Sequence, residues 1–478
     1  MTSSSSPYHL VIVGGGPAGL LTALVAARAG ARVALVEKNL LGGTCLNTGC
    51  IPSKTILRTS RLYREMRDAE HFGGSTPGEV VVDFAEVMKR VRRVRDRLSH
   101  GVSAERLATM GIDVYRGEAR FLGPDSVTVD GRVLRFRKAL IATGARPVRP
   151  PIPGLDEVGY LTYENVFDLT ERPERLLVIG GGPVGCELAQ AFARLGTRVV
   201  LVQNEPMFLG HEERDAAQLL SDSLARDGVE IHLDTQTIGV RVVGNDTLAD
   251  LRHDGATTTV AVDRILVGVG TAPNVQGLEL EAAGVTYDAV AGVAVDDFLR
   301  TSNRRIFALG DVCGDNKFPH VESAAASIVV ANALFLGRRR LSAETVPWCT
   351  YTDPEIAHVG MYVTEARRKN IPVKTFTVLM HEVDRAIADG EEEGFVKVHV
   401  LEGTGKILGA TVVASHAGDL INEISLAMSA GLSLDALARV NQPYPTQSQA
   451  IKMAAAACAQ TRRGPVRAWL TKKWLSWS

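Results

Sequence analysis

The chain has 478 residues, too many for a single hydrophobic core, so its length predicts about two to four domains. It carries 53 basic and 54 acidic residues, a formal net charge of −1, and this balance excludes the strongly basic surface of a nucleic-acid-binding protein. Six scattered cysteines are not a secreted disulfide scaffold, and neither a signal peptide nor an apolar run of about 18 residues is evident, so we expect a cytoplasmic protein.

The first 37 residues contain the pattern of a strand, a glycine-rich turn, a helix and a second strand. The apolar run 9–13 leads into Gly14-x-Gly16-x-x-Gly19, a helix is predicted over 20–29, and the second strand ends at Glu37. Glycines at this spacing let the backbone approach a pyrophosphate at a helix N-terminus, and an acid about 20 residues later can accept a hydrogen bond from a ribose hydroxyl. This stretch predicts a dinucleotide-binding unit.

Two cysteines, Cys45 and Cys50, follow in the glycine-rich segment 42–54. Five residues of straight helix would separate their Cα atoms by about 7.5 Å, beyond the usual reach of a disulfide, so the segment must bend. Gly43 and Gly49 permit the bend, and Pro52 suits the first turn of a following helix. A thiolate near that helix start and near Lys54 would have a lowered pKa, which is typical of reactive cysteines.

The spacing of these cysteines favours a redox disulfide over two alternatives. One alternative is an inert pair in the core, and the other is a metal site. Metal sites usually combine C-x-x-C-like spacing with further ligands, and no such ligands lie nearby in the sequence. We therefore expect no bound structural metal.

The stretch between Lys54 and Glu118 has a helical pattern with a strongly basic section. The acids Glu86, Asp96 and Glu105 interleave with the basic residues, which favours a solvated helix face over a polyanion-binding one. The basic residues of this section are Lys89, Arg90, Arg92, Arg93, Arg95 and Arg97.

A second nucleotide unit is predicted around Gly180-x-Gly182-x-x-Gly185, with apolar runs at 176–179 and 198–202. Two complete units imply two dinucleotides, and units brought face to face would let a hydride pass from one to the other. The second strand ends in Gln203-Asn204-Glu205. An acid at the first position would favour NAD and arginines would favour NADP, so its loss slightly favours NADPH, while Glu205 favours NADH.

The segment from Gly42 to Lys54 closely resembles the active-site segment of the flavoprotein disulfide reductases, the class I pyridine nucleotide-disulfide oxidoreductases. Residues 139–147, 263–274, 301–315 and 351–355 resemble other segments of that family, and the resemblance extends over about residues 8 to 460. It implies an α/β fold with two Rossmann-like dinucleotide-binding domains and a C-terminal α+β interface domain that forms a homodimer. The implied domains are 1–150 (FAD, first part), 151–275 (NAD(P)), 276–345 (FAD and central, second part), 346–460 (interface) and 461–478 (basic, Trp-rich tail).

The resemblance also implies roles for individual residues. Cys50 would be the thiolate resting against the flavin, Cys45 the exchanging thiol, and Lys54 and Glu187 an ion pair beside flavin N5. Tyr444 stands at the position of the family's acid/base histidine. The implied cofactor-binding residues, for FAD and NAD(P)H together, are Gly14, Gly16, Pro17, Ala18, Gly19, Glu37, Lys38, Gly43, Thr44, Thr143, Gly144, Gly180, Gly182, Gly185, Gln203, Gly270 and Asp311.

The chain departs from the thiol-substrate members of this family at three places. Tyr444 and Gln449 stand where those members have a His and its Glu partner, and Pro183 stands where they often have an aromatic lid. A phenol with a pKa near 10 is a poor proton shuttle at neutral pH, so efficient reduction of lipoamide or glutathione disulfide is not expected. Mercuric reductases also lack the His, but they have a pair of cysteines at the C-terminus, whereas this chain has only Cys458 in that region.

These features favour a mercuric-reductase-like oxidoreductase that acts on a small-molecule disulfide or a thiophilic metal. Two alternatives remain: a dihydrolipoamide dehydrogenase with a proton donor other than His, and a flavin-bearing redox or metal-responsive binding protein with incidental turnover. The tail 461–478 has five basic residues and three tryptophans, and either packs against the protein or makes a weak, peripheral membrane-surface contact. The sequence leaves open the acceptor, the choice between NADH and NADPH, the role of Tyr444 and the resting redox state of the cysteines.

Overall fold

The computed structural model describes residues 6–75, 78–313, 319–461, 469 and 473–476, with the backbone only for 319–321. The strands, in chain order, are β1 (Tyr8–Val13), β2 (Val33–Glu37), β3 (Ile112–Arg116), β4 (Ala119–Gly123), β5 (Ser126–Val129), β6 (Arg132–Ile141), β7 (Ala145–Pro147), β8 (Arg175–Ile179), β9 (Arg198–Val202), β10 (Glu230–His232), β11 (Thr235–Val243), β12 (Asp246–His253), β13 (Ala256–Val262), β14 (Arg264–Val267), β15 (Thr271–Pro273), β16 (Tyr287–Asp288), β17 (Gly292–Val293), β18 (Ile306–Ala308), β19 (Pro347–Thr350), β20 (Glu355–Gly360), β21 (Val373–Leu379), β22 (Phe395–Leu401) and β23 (Ile407–Ala414).

The α-helices are α1 (Pro17–Arg28), α2 (Gly43–Asn47), α3 (Cys50–Arg67), α4 (Phe84–Ser99), α5 (Ala104–Thr109), α6 (Leu155–Val158), α7 (Pro183–Arg194), α8 (Arg214–Arg226), α9 (Pro319–Leu334), α10 (Val363–Arg368), α11 (Asp384–Asp389), α12 (Ala417–Ser429), α13 (Leu434–Leu437) and α14 (Gln449–Thr461). Short 3-10 helices cover Ala69–Phe72, His100–Val102, Val166–Asp168, Leu341–Ala343 and Met380–Glu382.

The chain forms two compact units. One comprises Met1–Pro206 and Gly228–Glu344, and the other Met207–Asp227 and Thr345–Ser478. The finer division into domains expected from the sequence stays a prediction.

The main sheet of the first unit carries the first nucleotide unit. Its strands β3, β2, β1, β6 and β18 pair in parallel, and the start of β6 continues into the antiparallel strands β5 and β4. Nearly every residue of β1 and β2 is buried, as expected for parallel strands covered on both faces. Helix α1 begins at Pro17, three residues before the predicted start, because proline is favoured in a first helical turn.

The second nucleotide unit lies in the same compact unit. Strands β10, β9, β8 and β14 form a parallel sheet, and α7 connects β8 to β9. The two Rossmann-like units predicted from the sequence are therefore confirmed. The helical pattern predicted up to Glu118 was wrong at its end, because residues 112–116 form β3 as a parallel partner of β2.

The second compact unit has the predicted α+β character. Its antiparallel sheet has the order β19, β20, β23, β22, β21, in which β22 and β23 pair as neighbouring strands of the chain. Helices α12 and α14 contribute Ile421, Ile424 and Ile451 to its buried core. The segment Met207–Asp227 also belongs to this unit, and Glu212 accepts hydrogen bonds from Trp348 and Tyr362.

Across the described residues, no helix combines the length and apolar character that crossing a bilayer requires. Most of the tail 461–478, for which either packing against the protein or a weak membrane-surface contact is expected, lies outside the described residues. Helix α4 buries Phe84, Val87, Met88 and Val91 and leaves most of its basic side chains at least partly exposed, in agreement with the predicted solvated face.

Candidate redox site and nucleotide cradles

The first glycine turn brings β1, α1 and the loop after β6 too close together for side chains. A Cβ on Gly14, whose φ is +109°, would lie 2.1 Å from the carbonyl oxygen of Ala142, and one on Gly19 would lie 1.9 Å from the carbonyl oxygen of Gly14. Gly16 caps α1 with extended backbone, and Pro17 follows. The first N–H groups of α1 therefore have no intrahelical acceptors and can bind an anion.

Glu37 lies at the end of β2, where its carboxylate is fixed by two backbone amides. Oε2 accepts from the amide of Gly15 and Oε1 from that of Asn39, both at 2.6 Å. This acid borders a cavity of about 400 Å³. The predicted FAD and cysteine residues that line this cavity are Gly14, Gly16, Pro17, Ala18, Glu37, Lys38, Gly43, Thr44, Cys45, Cys50, Thr143, Gly144 and Asp311. Gly19 does not line it and instead packs against Gly14.

The cysteine segment is bent, as predicted, into the short helix α2, which contains Cys45, and α3, which begins at Cys50. Gly43 has a φ of +55°, and a Cβ there would lie 2.6 Å from the Cα of Gly16. Gly49 has a φ of −121°, so the bend there needs no left-handed backbone, but a Cβ there would lie only 3.0 Å from the carbonyl oxygen of Thr44. The cysteine segment and the first glycine turn are thus in backbone contact.

Cys45 and Cys50 are both free and partly buried, and their side chains share a hydrogen bond. This bond raises the pKa of Cys45, and burial raises it further. The same bond lowers the pKa of Cys50, and the nearby charge of Lys54 lowers it too, although burial opposes both. Of the two side chains, Cys50 is therefore the more acidic.

Lys54 and Glu187 form the ion pair that the sequence predicted. Lys54 Nζ donates to Oε1 and Oε2 of Glu187 at 3.1 and 2.9 Å. Glu187 lies in the first half of α7, and only 5% of its side chain is exposed, so it is a buried partner and not a solvated helical acid.

The second glycine turn repeats the geometry of the first. Gly180 has a φ of +109°, and a Cβ on Gly185 would lie 1.9 Å from the carbonyl oxygen of Gly180. Gln203 takes the place of Glu37, since its Oε1 accepts from the amide of Gly181 at 2.8 Å. The adjoining cavity, of about 830 Å³, is lined by Gly180, Gly182, Pro183, Gln203, Glu205 and Gly270 among others, and no described residue that lines it is a Lys or Arg.

Tyr444 lies in the second compact unit and is 75% exposed. Its hydroxyl donates to Asp384 Oδ2 at 3.0 Å, and this hydrogen bond raises the pKa of the phenol. Asp384 begins α11, and its contact with Tyr444 was not predicted from the sequence. Because these two residues are 60 positions apart, no local sequence signal connects them.

Sequence reasoning also missed two residues at the first cavity. Asn274 holds the loop after β6, since its Nδ2 donates to the carbonyl oxygen of Thr143 and its own carbonyl accepts from Thr143 Oγ1. Glu322, in the first turn of α9, lines the cavity beside Asp311. The available signal was a lone acid just ahead of the apolar run 324–330. Cys313 is buried and packs in the core of the first compact unit.

The first cavity fits an FAD. Its glycine turn exposes helix-terminal amides, Glu37 can accept from a ribose hydroxyl, and Glu322 Oε2 is a buried oxygen without a hydrogen-bond partner among the described residues. Within the described part of the chain, no group of three or more His, Cys, Asp or Glu side chains is arranged to hold a metal ion.

Comparisons with known proteins agree with this geometry. Residues 8–328 match the family model described as pyridine nucleotide-disulphide oxidoreductase, and residues 346–455 match that family's dimerisation domain. The chain is 35% identical to a mercuric reductase of Staphylococcus aureus, over 94% of this chain and 82% of that protein. It is 32% identical to a dihydrolipoyl dehydrogenase of Bacillus subtilis (strain 168), over 95% and 98%.

Among solved structures, the chain is similar to the Cu(II) complex of the HOCl-induced flavoprotein disulfide reductase RclA from Escherichia coli. The TM-score is 0.83 at 30% identity, with 93% of this chain and 98% of that chain covered. The family matches extend over both compact units and include the cysteine segment and both glycine turns. The chain therefore belongs to the pyridine nucleotide-disulphide oxidoreductases, a family of FAD-binding oxidoreductases that use a pyridine nucleotide.

Proposed function

We propose that this oxidoreductase passes two electrons from NAD(P)H through Cys45 and Cys50 to a soft metal ion or a small-molecule disulfide, in the manner of a mercuric reductase. The observation that carries the proposal is the hydrogen-bonded cysteine pair on the wall of the first cavity, with Lys54 lowering the pKa of Cys50. Bound FAD would supply the acceptor for the nicotinamide hydride and the donor of the electron pair.

The chain's own residues account for the thiol chemistry. Opening the disulfide consumes two electrons and one proton, and leaves Cys50 as a thiolate and Cys45 as a thiol. Lys54 stabilises the Cys50 thiolate, and Glu187 holds Lys54 in place. After Cys45 loses its proton, the two thiolates can bind a soft divalent ion, and two electrons passing to the metal re-form the disulfide. With a disulfide acceptor, the deprotonated Cys45 attacks one sulfur, forms a mixed disulfide and releases the other sulfur as a thiolate. Cys50 then attacks the sulfur of Cys45, which re-forms the Cys45–Cys50 disulfide and releases the second thiolate of the reduced product.

Tyr444 favours the metal as the acceptor. Reduction of a disulfide must deliver protons to two departing thiolates, whereas reduction of a metal ion by two thiolates requires none. The Asp384 hydrogen bond raises the pKa of Tyr444 above the already high value of a phenol, so Tyr444 is a poor proton donor and acceptor at neutral pH. The similarity to a mercuric reductase and to a reductase solved as a Cu(II) complex supports the same choice.

The match to a dimerisation domain supports a homodimer. We place Tyr444 of one copy at the Cys45–Cys50 pair of the other, where its phenol would contact the acceptor. This arrangement follows from the family resemblance of the segment around Tyr444.

The choice of nicotinamide nucleotide depends on the second cavity. The missing acid at Gln203 slightly favours NADPH on sequence grounds. The cavity lining argues for NADH, since Glu205 is its charged group near Gln203 and no described lining residue is a Lys or Arg that could pair with a 2′-phosphate. We propose NADH as the better donor, and reduction rates with NADH and NADPH under anaerobic conditions test this choice.

The test of the proposed function is the Cys45→Ser variant. We expect it to keep flavin reduction by NAD(P)H and to lose reduction of Hg²⁺ and disulfides, because the exchanging sulfur is absent. Acceptor turnover equal to that of the wild type would remove Cys45 from the mechanism. In the wild type, lipoamide turnover at the level of metal turnover would favour a dihydrolipoamide dehydrogenase, and tight metal binding without turnover would favour a redox-responsive binding protein.

A further inference from the structure

A buried carboxyl group, that of Glu322, faces the first cavity without a role in the thiol chemistry. It lies in the first turn of α9, and its Oε2 is buried with no hydrogen-bond partner among the described residues. The carboxyl packs against the turn after β18, where a Cβ on Gly310 would lie 3.0 Å from Oε1. A buried oxygen of this kind is costly unless a bound group or a proton satisfies it.

Glu322 also lies close to an anion-binding position. A Cβ built on Gly310 would lie 3.0 Å from Glu322 Oε1 and 3.4 Å from the Cβ of Ala18, both residues line the cavity, and the Ala18 amide favours the ionised form of Glu322 by lowering its pKa. Ala18 is the second residue of α1, so its amide is one of the helix-terminal donors that have no intrahelical acceptor. Such donors at the end of a glycine turn bind the pyrophosphate of a dinucleotide. An ionised Glu322 and the phosphates of FAD would therefore use the same end of α1.

The surroundings of Glu322 disfavour its charge. Burial raises the pKa of this carboxyl to about 8, the charges of Asp311 and Cys50 raise it as well, and the Ala18 amide opposes them. Asp311 faces it from the turn after β18 and Cys50 from α3, and Cys45 is affected by its charge in return. The side chain of His320, in the same turn of α9, lies outside the described part of the chain.

We propose that Glu322 makes the retention of FAD depend on pH. In its neutral form the carboxyl leaves the end of α1 to the cofactor phosphates and can donate a hydrogen bond. In its ionised form it competes for the Ala18 amide and repels the phosphates. Because the charged form binds FAD less well, FAD binding favours the protonated carboxyl, and the cofactor is lost more readily in alkaline solution.

The rate of FAD loss from the diluted holoenzyme, followed by the rise in flavin fluorescence, tests this proposal. The enzyme is kept oxidised, so that Cys45 and Cys50 form a disulfide and no thiol of that pair titrates. We expect the wild type to lose FAD roughly tenfold faster at about pH 9.5 than at about pH 6.5, because burial and Asp311 keep the pKa of Glu322 raised even when Cys50 is in the disulfide. Glu322→Gln and Glu322→Ala should show no such acceleration.

Glu164→Gln is the matched control, because Glu164 lines the same cavity but is exposed. It should keep the pH dependence of the wild type. Equal rates of FAD loss from the wild type at both pH values would overturn the proposal without any variant. An acceleration that persists in Glu322→Gln, or that disappears in Glu164→Gln, would also overturn it.

Discussion

Lys54 Nζ contacts both carboxylate oxygens of Glu187, at 3.1 and 2.9 Å, although the two residues are 133 positions apart in the chain. The pair joins α3, which carries Cys50, to α7 of the second glycine turn. Glu187 is almost fully buried, while 36% of the Lys54 side chain remains exposed. A buried carboxylate is destabilising unless it is paired, so Glu187 holds the ammonium group of Lys54 in place. Because the two helices come from different nucleotide units, the position of Lys54 beside Cys50 depends on how these two units pack.

Replacing Lys54 should make the Cys50 thiol less acidic. In Lys54→Met the pKa of Cys50 should rise, since the lysine charge lowers it in the wild type, and turnover should fall by about a hundredfold. The pH dependence of iodoacetamide labelling of the reduced enzyme measures the change. Lys54→Arg is the charge-retaining control and should shift the labelling profile less. A labelling profile unchanged in Lys54→Met would contradict the role of this charge.

The missing acid/base pair can be restored by substitution. In the double variant Tyr444→His with Gln449→Glu, an imidazole would replace a phenol whose pKa is raised by Asp384, so reduction of lipoamide should increase by about a hundredfold. Metal-ion reduction should not increase, because it needs no proton delivery. Tyr444→Phe is the control for loss of the phenol alone. Unchanged lipoamide turnover in the double variant would show that the proton donor does not limit this reaction.

The residue at the end of β9 should control the choice of nucleotide. Gln203→Arg would place a cation beside the 2′-position, so the ratio of kcat/KM for NADPH to that for NADH should increase by about tenfold or more. Gln203→Glu is the matched variant, since it keeps the acceptor for the Gly181 amide and adds a repelling charge, and it should move the ratio the other way. If this ratio were the same in both variants, residue 203 would not determine the choice between NADH and NADPH.

The second compact unit should lose stability in acid through Glu213. Burial would raise the pKa of this carboxyl, but hydrogen bonds from His399 and Lys397 outweigh it and lower the pKa to about 2, from 4.5. Because the folded-state value is the lower one, this stabilisation is complete above about pH 4.5 and is lost as the pH falls toward 2. Glu213→Gln should therefore reduce the free energy of unfolding by about 3 kcal/mol at neutral pH, and by less near pH 4.

Urea denaturation of the wild type and Glu213→Gln at the two pH values measures this difference. Glu402→Gln, at an exposed position in the same unit, should change the free energy of unfolding by less than about 0.5 kcal/mol. If the difference in the free energy of unfolding between the wild type and Glu213→Gln did not change with pH, the charge of Glu213 would not contribute to stability.

Local backbone constraints made much of the site predictable. Gly14 and Gly180 adopt a φ of +109°, and Gly19 and Gly185 lie too close to a carbonyl oxygen for a side chain. Only glycine is tolerated at these positions, so the spacing of the glycines can be recognised in the sequence. The bend between Cys45 and Cys50 was predictable for the same reason. The error near Glu118 arose where β3 is set by pairing with β2, which a helical periodicity cannot reveal.

The sequence by itself determined the two glycine turns, the bent cysteine pair and the substitution of Tyr444 for a histidine, because each depends on residue type and short spacing. Only the tertiary structure decided that Glu322 lies beside Ala18 at the first cavity, that Asp384 accepts a hydrogen bond from Tyr444 and that Glu213 pairs with His399. These contacts join residues that are 60 or more positions apart. They arise from the packing of helices and sheets, and the charge of a buried group depends on which neighbours that packing supplies.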